Sequence, residues 1–156
     1  MNDPIDTPRL LGQGFYWQEI SAGQRFQTFR RTITETDLVN FISVTGMLES
    51  IFIEVGAAAD GIGGRPVPAA LTYTLIEGLL LQSMIQGTGQ AMLELTQKVL
   101  RPVRVGDTIR ALVEVTAIRP TSSRNSAIVD SLITVSNQAG ETVMIYTARR
   151  MLAGRP

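Results

Sequence analysis

The sequence predicts an α+β fold in which a curved antiparallel sheet wraps around one central helix. Residues 69–86 are apolar on most sides, which is typical of a helix buried nearly all round. Four later segments alternate apolar and polar side chains, as strands with one buried face do. A chain of 156 residues is long enough to bury the core of one such domain. We place this domain at residues 15–152 and expect residues 1–14, which contain Pro and Gly without periodicity, to form a loose arm.

The elements are predicted in the order strand, short helix, central helix and four strands. Thr and Phe residues favour a first strand at 26–33. Thr34 and Asp37 form a helix-start pattern close to the capping box, and Gly46 is a natural end for this short helix. The four later strands are predicted at 93–99, 109–118, 127–136 and 142–151. Because such a sheet has open edge strands, we expect a homodimer or higher homo-oligomer that continues the sheet.

The composition excludes several classes of function. The chain has no cysteine and no histidine, which excludes thiol catalysis, Cys/His zinc sites and any mechanism with an imidazole base. Fourteen basic and fourteen acidic residues cancel, unlike the charge of a nucleic-acid binder. The N-terminal residues lack a signal-peptide pattern, and the apolar stretch 69–85 is too short to span a bilayer comfortably. We therefore expect a cytoplasmic protein without a metal, a cofactor, or a nucleic-acid or membrane partner.

Three motifs distributed along the chain carry a resemblance to a known family. Residues 18–26 read QEISAGQRF, residues 33–41 read ITETDLVNF, and residues 100–109 read LRPVRVGDTI, the most specific of the three. They are similar to the motifs D-L-x-x-G-x-x-F, T-x-x-D-I-x-x-F-A and F-x-x-P-V-x-x-G-D-T-I/L of MaoC-like proteins. This family contains the (R)-specific enoyl-CoA hydratases and dehydratases and has the hot-dog fold. The resemblance implies a hydro-lyase of fatty acid metabolism that takes an acyl-CoA or a similar thioester.

The catalytic signature of that family is altered in this sequence. The family carries T-G-D-x-N-P-x-H after its short helix, whereas residues 45–52 here read TGMLESIF. Met47 stands at the catalytic Asp position and Phe52 at the catalytic His position. The loss of one general acid or base slows such a reaction by about 100- to 10,000-fold, so we expect hydration by the family mechanism to be largely lost. Thr45 and Gly46 do match the motif, which implies a role in substrate binding; the alternative is that they only end the helix.

Other positions are candidates for holding the thioester. The family motif V-x-H-G before the buried helix reads VPAA at residues 67–70, so Ala70 replaces a glycine. Its backbone N–H still lies at a helix N-terminus, where it can face a thioester oxygen. Arg101 and Arg104 lie within the best-matching motif and are candidates for the phosphates of a CoA-like ligand, with surface solubility as the alternative. Gly106-Asp107 is predicted to form a tight turn rather than to take part in chemistry.

Two carboxylates are candidate catalytic groups in place of the missing pair. Glu49 is a substitute base if Met47 and Phe52 surround it and raise its pKa, and a solvated loop carboxylate otherwise. Glu77 lies on the predicted buried helix, where a carboxylate is costly unless it is paired. Some hot-dog thioesterases use an acid on this helix. The alternative is that Glu77 is a structural group bonded to Tyr73, to Thr74, or to an Arg across a dimer seam.

Three functions from different classes agree with these observations. The first is a MaoC-like protein that binds or acts on an acyl thioester without the standard Asp/His mechanism. The second is a non-catalytic partner subunit of a hydratase whose other MaoC-like chain supplies the Asp and His. The third is a hot-dog acyl-CoA thioesterase that uses Glu77 or Glu49.

Overall fold

The computed structural model describes residues 10–58, 61–122 and 124–156, and it confirms the predicted α+β hot-dog architecture. The described residues form six antiparallel strands and three α-helices; the predicted elements follow in the predicted order, with the first strand divided in two and a short helix, Ser50–Ile53, that the sequence did not predict. The helices are α1 (Glu35–Thr45), α2 (Ser50–Ile53) and α3 (Ala69–Leu81). The strands are β1 (Arg25–Gln27), β2 (Arg31–Thr32), β3 (Gly89–Val99), β4 (Thr108–Pro120), β5 (Ser126–Ser136) and β6 (Thr142–Ala153). The sheet has the order β1-β4-β5-β6-β3, and β2 also pairs with β4.

The core lies between α3 and the inner face of the three long central strands. Alternate residues of β4 and β5 are fully buried, which is the period-2 pattern that predicted these strands. The helix contributes Leu71, Ile76 and Leu80 to the same apolar cluster. In the described part of the chain, no helix is both long and apolar enough to cross a membrane.

Helix α1 begins and ends where the sequence predicts. The Thr34 hydroxyl accepts a hydrogen bond from the Asp37 N–H, and the Asp37 carboxylate accepts one from the Thr34 N–H, which completes a capping box. Gly46 ends the helix in the left-handed conformation, with φ of 73°. The segment with the altered motif follows this glycine directly. The C-terminal cap of α1 therefore determines where this segment begins.

The central helix is shorter than predicted. It ends at Leu81, whereas the apolar pattern predicted a helix to residue 86. The carbonyl groups of Met84 and Gln86 instead accept hydrogen bonds from the N–H groups of Phe15 and Gly14. A Cβ on Gly14 would lie 2.5 Å from the Gln86 nitrogen, so only glycine fits this approach. Met84 and Ile85 stay buried, which is why the sequence pattern continues past the end of the helix.

The N-terminal region also differs from a continuous strand. Residues 26–33 form two short strands, β1 and β2, because residues 28–30 leave the ladder: the Thr28 hydroxyl accepts the Ala111 N–H, and Phe29 is 90% exposed. Residues 1–9 of the predicted loose arm lie outside the described residues. Its last residue, Gly14, is buried against the turn after α3.

Strand β3 is the exposed edge of the sheet. It pairs with β6 on one side, and on the other side it has no partner strand in the described part of the chain. Ten of its eleven residues are exposed, among them the apolar side chains of Met92, Leu93, Leu95 and Val99. A long edge strand with exposed apolar side chains is a template for pairing with another chain.

Candidate functional site

The segment that the sequence predicts to stand in place of the family's catalytic signature is mostly exposed to solvent. Met47 is 39% exposed, and Phe52 is half-buried against the apolar core. Glu49 is exposed at the N-terminal end of α2, where its carboxylate accepts a hydrogen bond from the Ser50 hydroxyl at 3.1 Å. Met47 and Phe52 therefore do not enclose the Glu49 carboxylate. This geometry favours a solvated carboxylate.

Thr45 and Gly46 are engaged in ending α1. The Thr45 hydroxyl donates to the Phe41 carbonyl at 2.6 Å, and Gly46 adopts the left-handed C-terminal conformation. Both residues are exposed. Their geometry fits the helix-end alternative and leaves no free hydroxyl proton at Thr45 for a substrate.

Ala70 is the second residue of α3, directly after Pro68 and Ala69. Its N–H is one of the first four of the helix, which have no acceptor one turn earlier within the helix. The hydrogen bonds of the Leu71 and Thr72 N–H groups to the Pro68 carbonyl close this first turn. The Ala70 position thus retains the features that the sequence predicted for contact with an oxygen: a helix N-terminus, a small side chain and partial exposure.

Glu77 lies in a buried polar cluster with two residues of β6. Its Oε1 atom accepts a hydrogen bond from the Tyr146 hydroxyl at 2.7 Å and one from Arg150 Nη2 at 2.5 Å. The Glu77 and Arg150 side chains are only 12% and 9% exposed. The Tyr73 ring packs edge-on against Tyr146, with centroids 5.2 Å apart. An ion pair with this little exposure keeps both charges only because the hydrogen bonds compensate for lost hydration.

The tyrosines of this cluster stay protonated. Burial, and then the negative charge of Glu77, raise the pKa of Tyr146 far above its ordinary value. Burial and the same charge also raise the pKa of Tyr73. Tyr146 is therefore a permanent hydrogen-bond donor to Glu77 rather than a proton-transfer group. The sequence placed the partner of Glu77 at Tyr73, Thr74 or an Arg of another subunit, whereas the structure has Tyr146 and an Arg of the same chain.

The cluster lines an open cleft between α3 and the beginning of β3. The cleft has a volume of about 370 Å³. Its polar lining is Tyr73, Glu77, Gln90 and Arg150, and its apolar lining includes Leu81 and Met92. Glu49 is not among the residues that line it. The structure therefore does not bring the two candidate carboxylates into one site.

The two arginines near the best-matching motif have different environments. Arg104 Nη1 donates to the Ile62 carbonyl at 2.7 Å, and Arg104 Nε lies 3.7 Å from the Asp107 carboxylate, so this side chain is part of the packing of a loop. Arg101 is exposed and lies 3.6 Å from Glu141. Only Arg101 is free to turn toward a phosphate without breaking a structural contact of the loop.

The motif around Asp107 has a structural role that the sequence predicted only in part. Gly106 has a φ of 93° and Asp107 ends the predicted tight turn. The buried Asp107 carboxylate accepts hydrogen bonds from the Arg104 N–H and from Gln138 Nε2, both at 2.8 Å. It therefore ties the turn before β4 to the hairpin between β5 and β6.

Sequence reasoning missed Tyr146 and Arg150 as members of the cluster. The signal was present in β6, because Arg150 occupies a position of the inward-facing alternation. An arginine at an inward position requires a buried acidic partner, and Glu77 is the acidic residue of α3.

The sequence matches the family described as "FAS1-like, dehydratase domain region" over residues 21–146. The chain belongs to the MaoC-like dehydratase family. It is 33% identical to Protein MaoC of Klebsiella aerogenes over 100 residues, which are 61% of this chain and 29% of that protein. The chain thus spans less than a third of this MaoC relative.

Solved structures agree with the family assignment. An R-hydratase from Pseudomonas aeruginosa is 26% identical, with a TM-score of 0.77 over 92% of this chain and 88% of that one. A protein from Mycobacterium tuberculosis described as having a double hot-dog fold has a TM-score of 0.83 at 20% identity, over 92% of this chain and 45% of that one. At this identity the second similarity shows the fold alone. This MaoC-like chain is thus a hot-dog protein related to (R)-hydratases.

Proposed function

We propose that this MaoC-like protein binds an acyl-CoA-type thioester in the cytoplasm and does not hydrate it by the Asp/His mechanism. One observation carries the proposal: the two positions that match the family's Asp and His hold Met47 and Phe52, and neither candidate carboxylate is placed as a substitute. Glu49 is solvated, and the Glu77 carboxylate forms an ion pair with Arg150. Hydration requires a base for water and an acid for the α-carbon, and the altered segment lacks the Asp and His that supply them in the family motif.

The thioester is proposed to meet the chain at the N-terminus of α3. The Ala70 N–H would face the thioester oxygen, and Arg101 is the arginine with freedom to reach a CoA phosphate. The small side chain at position 70 and the partial exposure of this turn support this placement. The role of Thr45 and Gly46 is then to end α1 beside the site rather than to touch the ligand.

Two measurements test this function. Purified protein mixed with crotonyl-CoA is expected to show hydration far below a common enzyme turnover of about 10 s⁻¹. Titration calorimetry with decanoyl-CoA is expected to show saturable binding. Turnover near the common value would contradict the absence of the Asp/His mechanism, and a lack of binding would contradict the ligand.

A partner subunit of a hydratase is the second candidate, and strand β3 favours it. This edge strand is exposed and carries apolar side chains, so it can pair with an edge strand of a second chain. That chain is either a copy of this one or a MaoC-like chain with an intact T-G-D-x-N-P-x-H motif. In sedimentation analysis, Leu95→Lys at the middle of β3 should shift the protein from the proposed dimer to a monomer. Lys in place of the exposed Val44 on α1 is the matched control and should leave the dimer intact.

The thioesterase alternative depends on Glu77 as the base. One of its carboxylate oxygens already accepts two hydrogen bonds, one from Tyr146 and one from the Arg150 guanidinium, so this oxygen is occupied by partners within the chain. The structure gives this alternative less support than the binding role, and the Glu77→Gln experiment below distinguishes the two.

A further inference from the structure

We infer that the cleft beside α3 binds the distal part of the acyl chain and selects a chain that carries a hydroxyl group far from the thioester. This inference rests on the proposed function, because it takes the thioester to lie at Ala70. It assigns the ligand class from the Glu77–Arg150 pair that forms the polar floor of the cleft.

The positions of Ala70 and Glu77 on α3 correspond to the two ends of such a ligand, the thioester and the distal hydroxyl. Ala70, Tyr73, Glu77 and Leu81 follow at intervals of three and four residues, so they form one stripe along the helix. Tyr73, Glu77 and Leu81 all line the cleft. Seven residues separate Ala70 from Glu77, which corresponds to a rise of about 10 Å along the helix. A chain that starts at Ala70 and follows the stripe reaches Glu77 well beyond the carbons next to the thioester.

The polar groups on the floor have unused hydrogen-bonding capacity. Glu77 Oε1 accepts both of the bonds that the cluster makes, and Oε2 accepts none from the described residues. Arg150 uses one of its five N–H groups within the same part of the chain. The Tyr73 hydroxyl and Gln90 Nε2 likewise make no hydrogen bond to any described residue, although both side chains line the cleft.

This set of groups distinguishes between ligand classes. A plain hydrocarbon would cover the free donors and the free acceptor without satisfying them, and each such burial is costly. A carboxylate would satisfy Arg150 but would meet the negative charge of Glu77. A hydroxyl donates to Glu77 Oε2 and accepts from Arg150, Gln90 or Tyr73, so it satisfies both kinds of group at once.

Calorimetric titration of the full chain with three CoA thioesters tests the inference. The probes are ω-hydroxydecanoyl-CoA, decanoyl-CoA and β-hydroxydecanoyl-CoA. The ω-hydroxy compound is expected to bind about tenfold more tightly than decanoyl-CoA, which is the gain from one hydrogen bond to a charged group. The β-hydroxy isomer is expected to bind like decanoyl-CoA, because its hydroxyl lies near Ala70 and not near Glu77.

Variants locate the effect in the cleft. Glu77→Leu combined with Arg150→Met removes the whole ion pair, a replacement that buried pairs often tolerate, and should abolish the tenfold preference. Asp130→Leu combined with Arg149→Met removes an ion pair between β5 and β6 on the face of the sheet that points away from α3. This control should keep the preference. If the first variant does not fold, Tyr73→Phe removes a single unbonded hydroxyl and should lower the preference severalfold.

The outcomes separate the inference from the proposed function. Equal binding of the three compounds would overturn the hydroxyl selectivity and leave thioester binding intact. Tightest binding of the β-hydroxy isomer would overturn the placement of the chain along α3. Failure of all three to bind would overturn the proposed function, and the inference with it.

Discussion

The α1–α2 segment (residues 46–53) and the Glu77 cluster contain the candidate catalytic positions, and they differ in the charge that they hold. Met47 and Phe52, at the positions predicted to correspond to the family's Asp and His, are apolar; Met47 is exposed and Phe52 is half-buried. At Glu77, Tyr146 and Arg150, ionised and polar groups remain in a buried position. The first region carries no proton-transfer group at these two positions. The second region holds an ion pair in a buried position, where a charged group loses the free energy of hydration.

This difference teaches how the two regions constrain the fold. Exposed positions such as Met47 can change without a large loss of folding free energy. A buried pair cannot lose one member at similar cost, because the other charge is then left without a partner. We therefore expect activity to respond mainly to changes in the first region, and stability and ligand choice to respond to changes in the second.

The largest expected effect is a gain of activity in the α1–α2 segment. Met47→Asp with Phe52→His restores a carboxylate and an imidazole at the two family positions. If the pocket is otherwise intact, crotonyl-CoA hydration should rise at least about 100-fold, the low end for one general acid or base group. The rate is followed by the absorbance of the enoyl thioester.

A matched variant makes the gain specific to position. Leu48→Asp with Ile53→His places the same two groups one residue further along, at side chains that are 58% and 51% exposed. This control should show no gain. A folded Met47→Asp, Phe52→His protein without increased hydration would mean that the rest of the pocket has diverged, with Glu49 and Ser50 as the first residues to examine.

A smaller effect is expected when the buried cluster is changed. Glu77→Gln keeps the size of the side chain but removes the charge that Arg150 requires. Loss of one partner of a buried pair costs about 3–5 kcal/mol, and this milder change should cost less. The melting temperature should fall while any acyl-CoA hydrolysis stays unchanged. Loss of hydrolysis at an unchanged melting temperature would instead make Glu77 the base of a thioesterase.

The smallest effect concerns the exposed ion pairs next to the buried one on β6. Hydrogen bonding from Arg149, opposed by burial and reinforced by Arg119, holds the pKa of Asp130 below its ordinary value of 3.8. The folded state therefore favours the carboxylate, and its contribution to stability is present above about pH 4. This contribution is lost as the pH falls through the lower folded-state pKa.

Asp130→Asn measures that contribution directly. The variant should be less stable than the wild type by at most about 1 kcal/mol at neutral pH, as is usual for ion pairs near the surface. The difference should shrink as the pH is lowered below about 4. Thermal melts across this pH range check the result, and a difference that grows in acid would show that the pKa of Asp130 is raised.

Local patterns were sufficient to predict most of the fold. The alternation in the four long strands and the caps of α1 are set by neighbours in the sequence. The ends of α1 could therefore be predicted from Thr34, Asp37 and Gly46 alone. The first strand and the end of α3 were predicted less well. There the backbone bonds go to residues far along the chain, such as Gly14 to Gln86 and Thr28 to Ala111, and no local pattern reports such contacts.

The candidate site divides in the same way. The sequence by itself determined the family and the presence of a carboxylate on the central helix, and it predicted that Met47 and Phe52 stand at the family's catalytic Asp and His positions. Only the tertiary structure decided that Glu77 is paired with Arg150 and Tyr146, that Arg104 is part of a loop, and that Glu49 faces solvent. The physical reason is that the energy of a charged group depends on what surrounds it in space, and Glu77 of α3 is about 70 residues away along the chain from its partners on β6.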